Sequence, residues 1–253
     1  MSLPLIKYVL TGALRDRLLL SLIILLILGS SLSVFLGSGA VIEKNQFSLV
    51  FAAGGLRVCG MIGLVLFVVF FMRRSFESRD IDYLLSRPLG RVQFLSSYAG
   101  AFSILALLVS AAQTLCLYIV EPSLFGEGHI LWALSLLVEN IIMVHVGLFF
   151  SMVLTSAAGA AMVSFGFYVL ARMMGQILGI IDHGKTLHDL EIFETVMQFI
   201  SAVTPRLDLM GQTSWLLYGP GSDIGLGFIL AQGVVFVVLI LLAAMLDLIR
   251  RQF

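Results

Sequence analysis

Six long apolar stretches, each about twenty residues or more, constrain this chain more than any other feature. They run from Leu18 to Leu36, Phe51 to Phe71, Leu95 to Val120, Ile130 to Leu154, Ala157 to Ile181 and Ile224 to Leu246. A hydrocarbon layer ~30 Å thick is crossed by ~20 residues of helix rising ~1.5 Å each, so every stretch has spanning length. Backbone groups in lipid must be satisfied within the segment, and the runs lack the alternation of a transmembrane barrel strand. The expectation is an all-α membrane protein of six transmembrane helices forming one domain over 1–253. With 60% hydrophobic and 12% charged residues, a water-soluble fold has too little polar surface to cover this chain. Zero formal net charge and the lack of a Lys/Arg run set nucleic acid aside as a partner.

The basic residues between the stretches set the expected orientation. With the N-terminus cytoplasmic, that side receives ten: Lys7, Arg15, Arg17, Arg73, Arg74, Arg79, Arg87, Arg91, Arg250 and Arg251. The other side receives three, Lys44, Lys185 and Arg206. Both termini are therefore expected in the cytoplasm. Ser38-Gly39-Ala40 has the look of a signal-peptide cleavage site, but the apolar run before it exceeds the ~7 to 15 residues of a signal-peptide core. The leader before Leu18 mixes apolar residues with Lys7, Arg15 and Arg17; it suits either the membrane interface or a short solvated anchor.

The loop from Arg73 to Phe94 has the pattern of a short amphipathic helix ended near Pro88. Ile81, Leu84 and Leu85 share a face, and Glu77, Arg79, Asp80 and Asp82 supply charge. Such a helix docks on a partner or on lipid headgroups, or is merely a charged connector. The acidic Glu77, the pair Leu84-Leu85, then Pro88, Arg91 and Phe94 at intervals of three resemble the corresponding loop of the ABC-2 family, the permease subunits of type-2 ABC exporters. Asp80-Ile81 and Ser97-Tyr98 depart from that family's usual Gly-Thr and Gly-Lys.

The resemblance implies a transport subunit with no catalytic residues or cofactor of its own. ATP and Mg would be bound by a separate cytoplasmic ABC ATPase. The loop would be the coupling helix seated on that ATPase, with Glu77, Asp80, Asp82, Leu84, Leu85, Pro88 and Arg91 as its coupling residues. A second permease copy, most simply in a homodimer and otherwise in a heterodimer, would complete the pathway. The expected location is the bacterial cytoplasmic (inner) membrane, in contact with membrane lipid.

The connection from Asp182 to Asp223 is the one long external region. Leu187, Leu190, Phe193, Met197 and Ile200 recur at helical spacing, Pro205 stops that helix, and Trp215 to Tyr218 suit an interfacial belt or a shallow re-entrant segment. The region resembles the external helices that ABC-2 members place before their last span. Gly179 to Thr186 matches the P-loop pattern, but it follows an apolar span rather than a strand and falls on the external side. The four histidines lack ligand spacing and no metal site is expected; Cys59 and Cys116 sit alone in apolar runs as packing residues. Gly175 with Gly179, and Ser151, Thr155 and Gly159, have the small-xxx-small spacing of helix contacts.

Polar residues inside the spans are the last signal: Glu139, Asn140, His145 and Arg172. The short turn between the fourth and fifth spans makes them an antiparallel hairpin. Glu139 and Arg172 each lie sixteen and a half positions from the midpoint between Thr155 and Ser156, so they should sit level and pair. The competing reading is an ion-coupled secondary transporter or channel using Glu139, His145 and Arg172. A membrane-embedded enzyme would need a reactive constellation that the sequence does not present.

Overall fold

The structure, a computed structural model, describes residues 2–39, 43–78, 90–122, 125–183, 196, 200, 204–221 and 224–250. Among these residues all regular structure is helical: α1 (Leu3–Arg15), α2 (Arg17–Ser38), α3 (Lys44–Glu77), α4 (Arg91–Val120), α5 (Glu127–Val153), α6 (Ala157–His183), α7 (Ser214–Tyr218) and α8 (Leu226–Arg250), with a 3-10 turn at Leu207–Leu209. Six of them, α2 to α6 and α8, are long and apolar enough to cross a membrane. This is an integral membrane protein.

Each spanning helix outruns its apolar stretch at one end or both. The second span, expected over Phe51 to Phe71, is part of a 34-residue helix, about 51 Å long at 1.5 Å per residue. Charges such as Arg73, Arg74 and Glu77 end an apolar run but are good helix formers in water, so the helix continues past them. A break at Asp16 separates α1 from α2. Its backbone is extended (φ −78°, ψ 131°), and its carboxylate Oδ1 accepts a hydrogen bond from Leu18 N at 2.9 Å, capping the first span.

The leader is a helix with two apolar faces. Leu5, Val9 and Ala13, four residues apart, are buried, and α1 packs chiefly against α4, where Ser97 Oγ accepts a hydrogen bond from Ser2 N. Leu3, Tyr8 and Leu14 point outward. That exposed apolar set fits the interfacial alternative.

The bundle is built around α5. In its most apolar stretch 72% of residues are buried inside the protein, against 22% for α2 and α8, and it touches α3, α4, α6, α7 and α8. On α2 only a stripe through Leu19, Leu22, Leu26, Ser33 and Gly37 is buried, while Leu20, Ile23, Ile24, Ile27 and Leu28 face outward. An apolar exterior is stable only against lipid tails. Phe67, Phe94, Tyr98 and Phe102 are buried in one aromatic cluster with Phe71 between α3 and α4. It packs the arginine-rich end of the bundle.

One expected helix contact is corrected. Thr155 lies in the turn between α5 and α6, so Ser151, Thr155 and Gly159 are not a stripe on one helix. At Gly175 a Cβ would lie 2.4 Å from Asp208 Oδ2, so its smallness there admits a carboxylate from the connecting segment.

Candidate functional site

A charged cluster sits inside the bundle where three helices meet a returning loop. Ser135 and Glu139 lie one turn apart on α5, Tyr168 and Arg172 one turn apart on α6, and Arg57 on α3. Spacing of four keeps each pair on one face. The Glu139 side chain is wholly buried, accepting a hydrogen bond from Tyr168 Oη at 2.8 Å on Oε1. Its Oε2 lies 3.5 Å from Arg172 Nη1. The ion pair anticipated from the level positions of Glu139 and Arg172 is therefore present.

Arg172 does more than neutralise. Its Nη1 donates to the carbonyls of Leu207 and Met210, the latter at 2.7 Å. Those two bonds use both protons of that nitrogen, which explains why Glu139 Oε2 has ionic contact but no hydrogen bond among the described residues. Arg57 Nη1 donates to the Gly211 carbonyl, and Gly211 N donates to Ser135 Oγ at 2.9 Å. Residues 207–211 are thus fastened to α3, α5 and α6 through their backbone.

Gly211 is required at this point for two reasons. Its φ of +57° lies in the left-handed region, and a Cβ would meet Arg57 Nη1 at 3.2 Å and Glu139 Oε2 at 3.4 Å. The chain is therefore draped over the cluster at its closest approach. On either side the segment is fixed by packing: Leu207, Met210, Trp215 and Leu216 are buried, and the Trp215 carbonyl abuts Gly128 of α5, where a Cβ would lie 1.8 Å away. Trp215 to Tyr218 accordingly lie in α7, with Trp215 and Leu216 buried against the bundle and Tyr218 exposed. Outside it, Arg206 grips Asp208 through Nε at 2.9 Å and Nη2 at 2.8 Å. That bidentate bond raises the Arg206 pKa above its ordinary value and keeps the guanidinium charged.

Asn140 belongs to a neighbouring network. Its Nδ2 donates to Ser110 Oγ at 2.8 Å and Gln113 Oε1 at 2.9 Å, and Gln113 Nε2 donates to the Leu56 carbonyl at 2.7 Å. This ties α3, α4 and α5 together one residue away from Arg57. His145, also buried, bonds through Nδ1 to the Ile141 carbonyl of its own helix at 2.7 Å and takes no part in the Glu139 cluster.

Of the expected coupling residues, Glu77 is exposed at the last position of α3. Arg91 opens α4 and donates from Nη1 to the carbonyls of Leu248 and Ile249 at 3.0 and 2.9 Å, joining the start of α4 to the end of α8. Asp80, Asp82, Leu84, Leu85 and Pro88 lie outside the described residues, as does most of the helical pattern from Leu187 to Ile200.

Sequence reasoning missed Arg57, Tyr168 and Gly211. Arg57 carried a usable signal, a lone charge deep in an apolar stretch, the same rule that singled out Glu139. Tyr168 and Gly211 carried none, because their roles depend on which way two helices and a loop are turned. Among the described residues no group of His, Cys, Asp or Glu converges in a manner that would hold a metal ion. No protein-family model and no curated protein matches the chain.

Proposed function

We propose that this chain is the membrane subunit of an ATP-driven ABC-2-type exporter, forming the pathway and drawing its free energy from a separate cytoplasmic ATPase. The observation that carries the reading is the fold-back of residues 204–220 into the bundle just ahead of the last span, beside six spanning helices. The reading places a second copy of the chain across the pathway, the loop 78–90 in the cytoplasm, and both termini on that side of a bacterial inner membrane.

The geometry supplies a mechanical route. Helix α3 is one continuous rod from the loop that follows Glu77 to the Arg57 contact with Gly211. A tilt imposed on the loop by closing ATPase subunits would move Arg57 against the fold-back segment, whose other tether, Arg172, is on α6. The Glu139 cluster then acts as a latch on an external closure. Glu139 and Arg172 hold the latch together and Arg57 works it.

The test is purification of the tagged chain from its native membrane in mild detergent. A copurifying ATPase with vanadate-sensitive hydrolysis is expected, and its release when Leu84 and Leu85 are both replaced by Asp. Purification without an ATPase removes the proposal. The wholly buried Glu139 carboxylate favours a second reading, ion-coupled transport, with His145 and Arg172 as the other intramembrane polar groups of the path. Transport abolished by a protonophore yet insensitive to vanadate would select it.

A further inference from the structure

At the elbow between α1 and α2 a cleft of about 470 Å³ is lined by Arg15, Asp16, Arg17, Leu18, Phe70 and Arg74. We propose that this cleft binds the phosphate of an anionic lipid headgroup, with the acyl chains descending along the outward faces of α2 and α3. The proposal goes beyond the transport reading and rests only on the chain being embedded in a membrane.

Charge and placement both point to this occupant. Three guanidinium groups surround one carboxylate, and that carboxylate is spent: Asp16 Oδ1 accepts from Leu18 N at 2.9 Å, and Oδ2 lies 3.1 Å from Arg74 Nη1. The Asp16 side chain is only 7% exposed, whereas that of Arg74 is 67% exposed. An incoming group therefore meets guanidinium and not carboxylate. Arg15 and Arg17 are exposed and have no ionic or hydrogen-bond partner among the described residues. The buried Asp16 offers nothing to an ammonium, so an anionic headgroup is favoured over a zwitterionic one.

The floor of the cleft distinguishes a lipid from a free anion. Leu18 and Phe70 are 37% and 41% exposed, and below them α2 presents Ile24, Leu25 and Leu28 to the outside. Arginines fork onto phosphate oxygens at the polar boundary while the apolar floor receives the first methylenes. The cleft lies at the break where α1 meets the first apolar span, the position that faces headgroups once that span is embedded in a bilayer.

The experiment uses the full chain in detergent, with bound lipid counted by native mass spectrometry during titration with phosphatidylglycerol, phosphatidylcholine or inorganic phosphate. Wild type is expected to retain phosphatidylglycerol over phosphatidylcholine. The double substitution R15Q/R17Q should weaken that retention at least about ten-fold, from the loss of two cations near an anionic surface group. K7Q/R250Q removes the same charge from exposed positions outside the cleft and should leave the preference intact. Equal retention of the two lipids, or an equal loss in both double variants, overturns the proposal. So does displacement of phosphatidylglycerol by inorganic phosphate at matching concentration, which would make the site one for free phosphate.

Discussion

Removal of either charge of the Glu139–Arg172 pair is expected to destabilise the protein, and removal of both to cost less than the two losses summed. The carboxylate is wholly buried and lies 3.5 Å from Arg172 Nη1. At an effective dielectric constant of about 20, two unit charges at that distance attract by roughly 4 to 5 kcal/mol. Breaking a buried pair from one side costs about 3 to 5 kcal/mol, because the remaining charge is left uncompensated. The two single variants should not be equal. Glu139→Gln leaves Arg172 with its two carbonyl acceptors and a side chain 22% exposed, so its loss should sit near about 3 kcal/mol. Arg172→Gln strands the carboxylate and also frees the Leu207 and Met210 carbonyls, which places it toward about 5 kcal/mol.

In the double variant the surviving cost is mainly that of the freed carbonyls and imperfect amide packing. A coupling of about 1 to 3 kcal/mol between the two sites is expected. The assay is reversible unfolding of the full chain in mixed micelles, followed by the fluorescence of Trp132 and Trp215, which are both buried in the folded state. A cycle whose losses add to within about 0.5 kcal/mol would refute the pairing argument, as would a Glu139→Gln variant more stable than wild type.

Gly211→Ala should destabilise by about 1 to 2 kcal/mol from the left-handed backbone alone, and more if Arg57 cannot withdraw; the same unfolding titration reads it. A variant as stable as wild type would mean that the segment does not hold this turn. For topology, a cysteine placed at Ser78 should react with an impermeant thiol reagent only from the cytoplasm, and one placed at Thr186 only from outside. Reaction of the Thr186 variant from the cytoplasm would invert the orientation. Arg57→Gln should loosen the fold-back segment while leaving the ion pair in place, read as faster hydrogen exchange at 207–211 with a smaller stability loss than Arg172→Gln. Unchanged exchange would remove Arg57 from the latch.

The membrane-spanning helices were legible in the sequence because the hydrocarbon layer imposes its demand locally. About twenty consecutive apolar residues must satisfy their own backbone, and no distant part of the chain can substitute for them. The level of Glu139 and Arg172 was legible too, since a short turn fixes the register of an antiparallel hairpin by counting alone. Counting does not fix rotation. Whether Arg172 faces Glu139, whether Tyr168 one turn earlier reaches the same carboxylate, and whether Arg57 on another helix joins them all depend on how α3, α5 and α6 turn about their axes. Those angles come from ridges and small residues packing across helices, which no single segment encodes. The fold-back of 204–220 was the least legible of all. Its position is held by three backbone carbonyls and one amide, groups that every residue carries and that leave no mark in a sequence. The arginines and Ser135 on neighbouring helices, and the packing of Leu207, Met210, Trp215 and Leu216, meet that chain only in the tertiary fold, which decides where it goes.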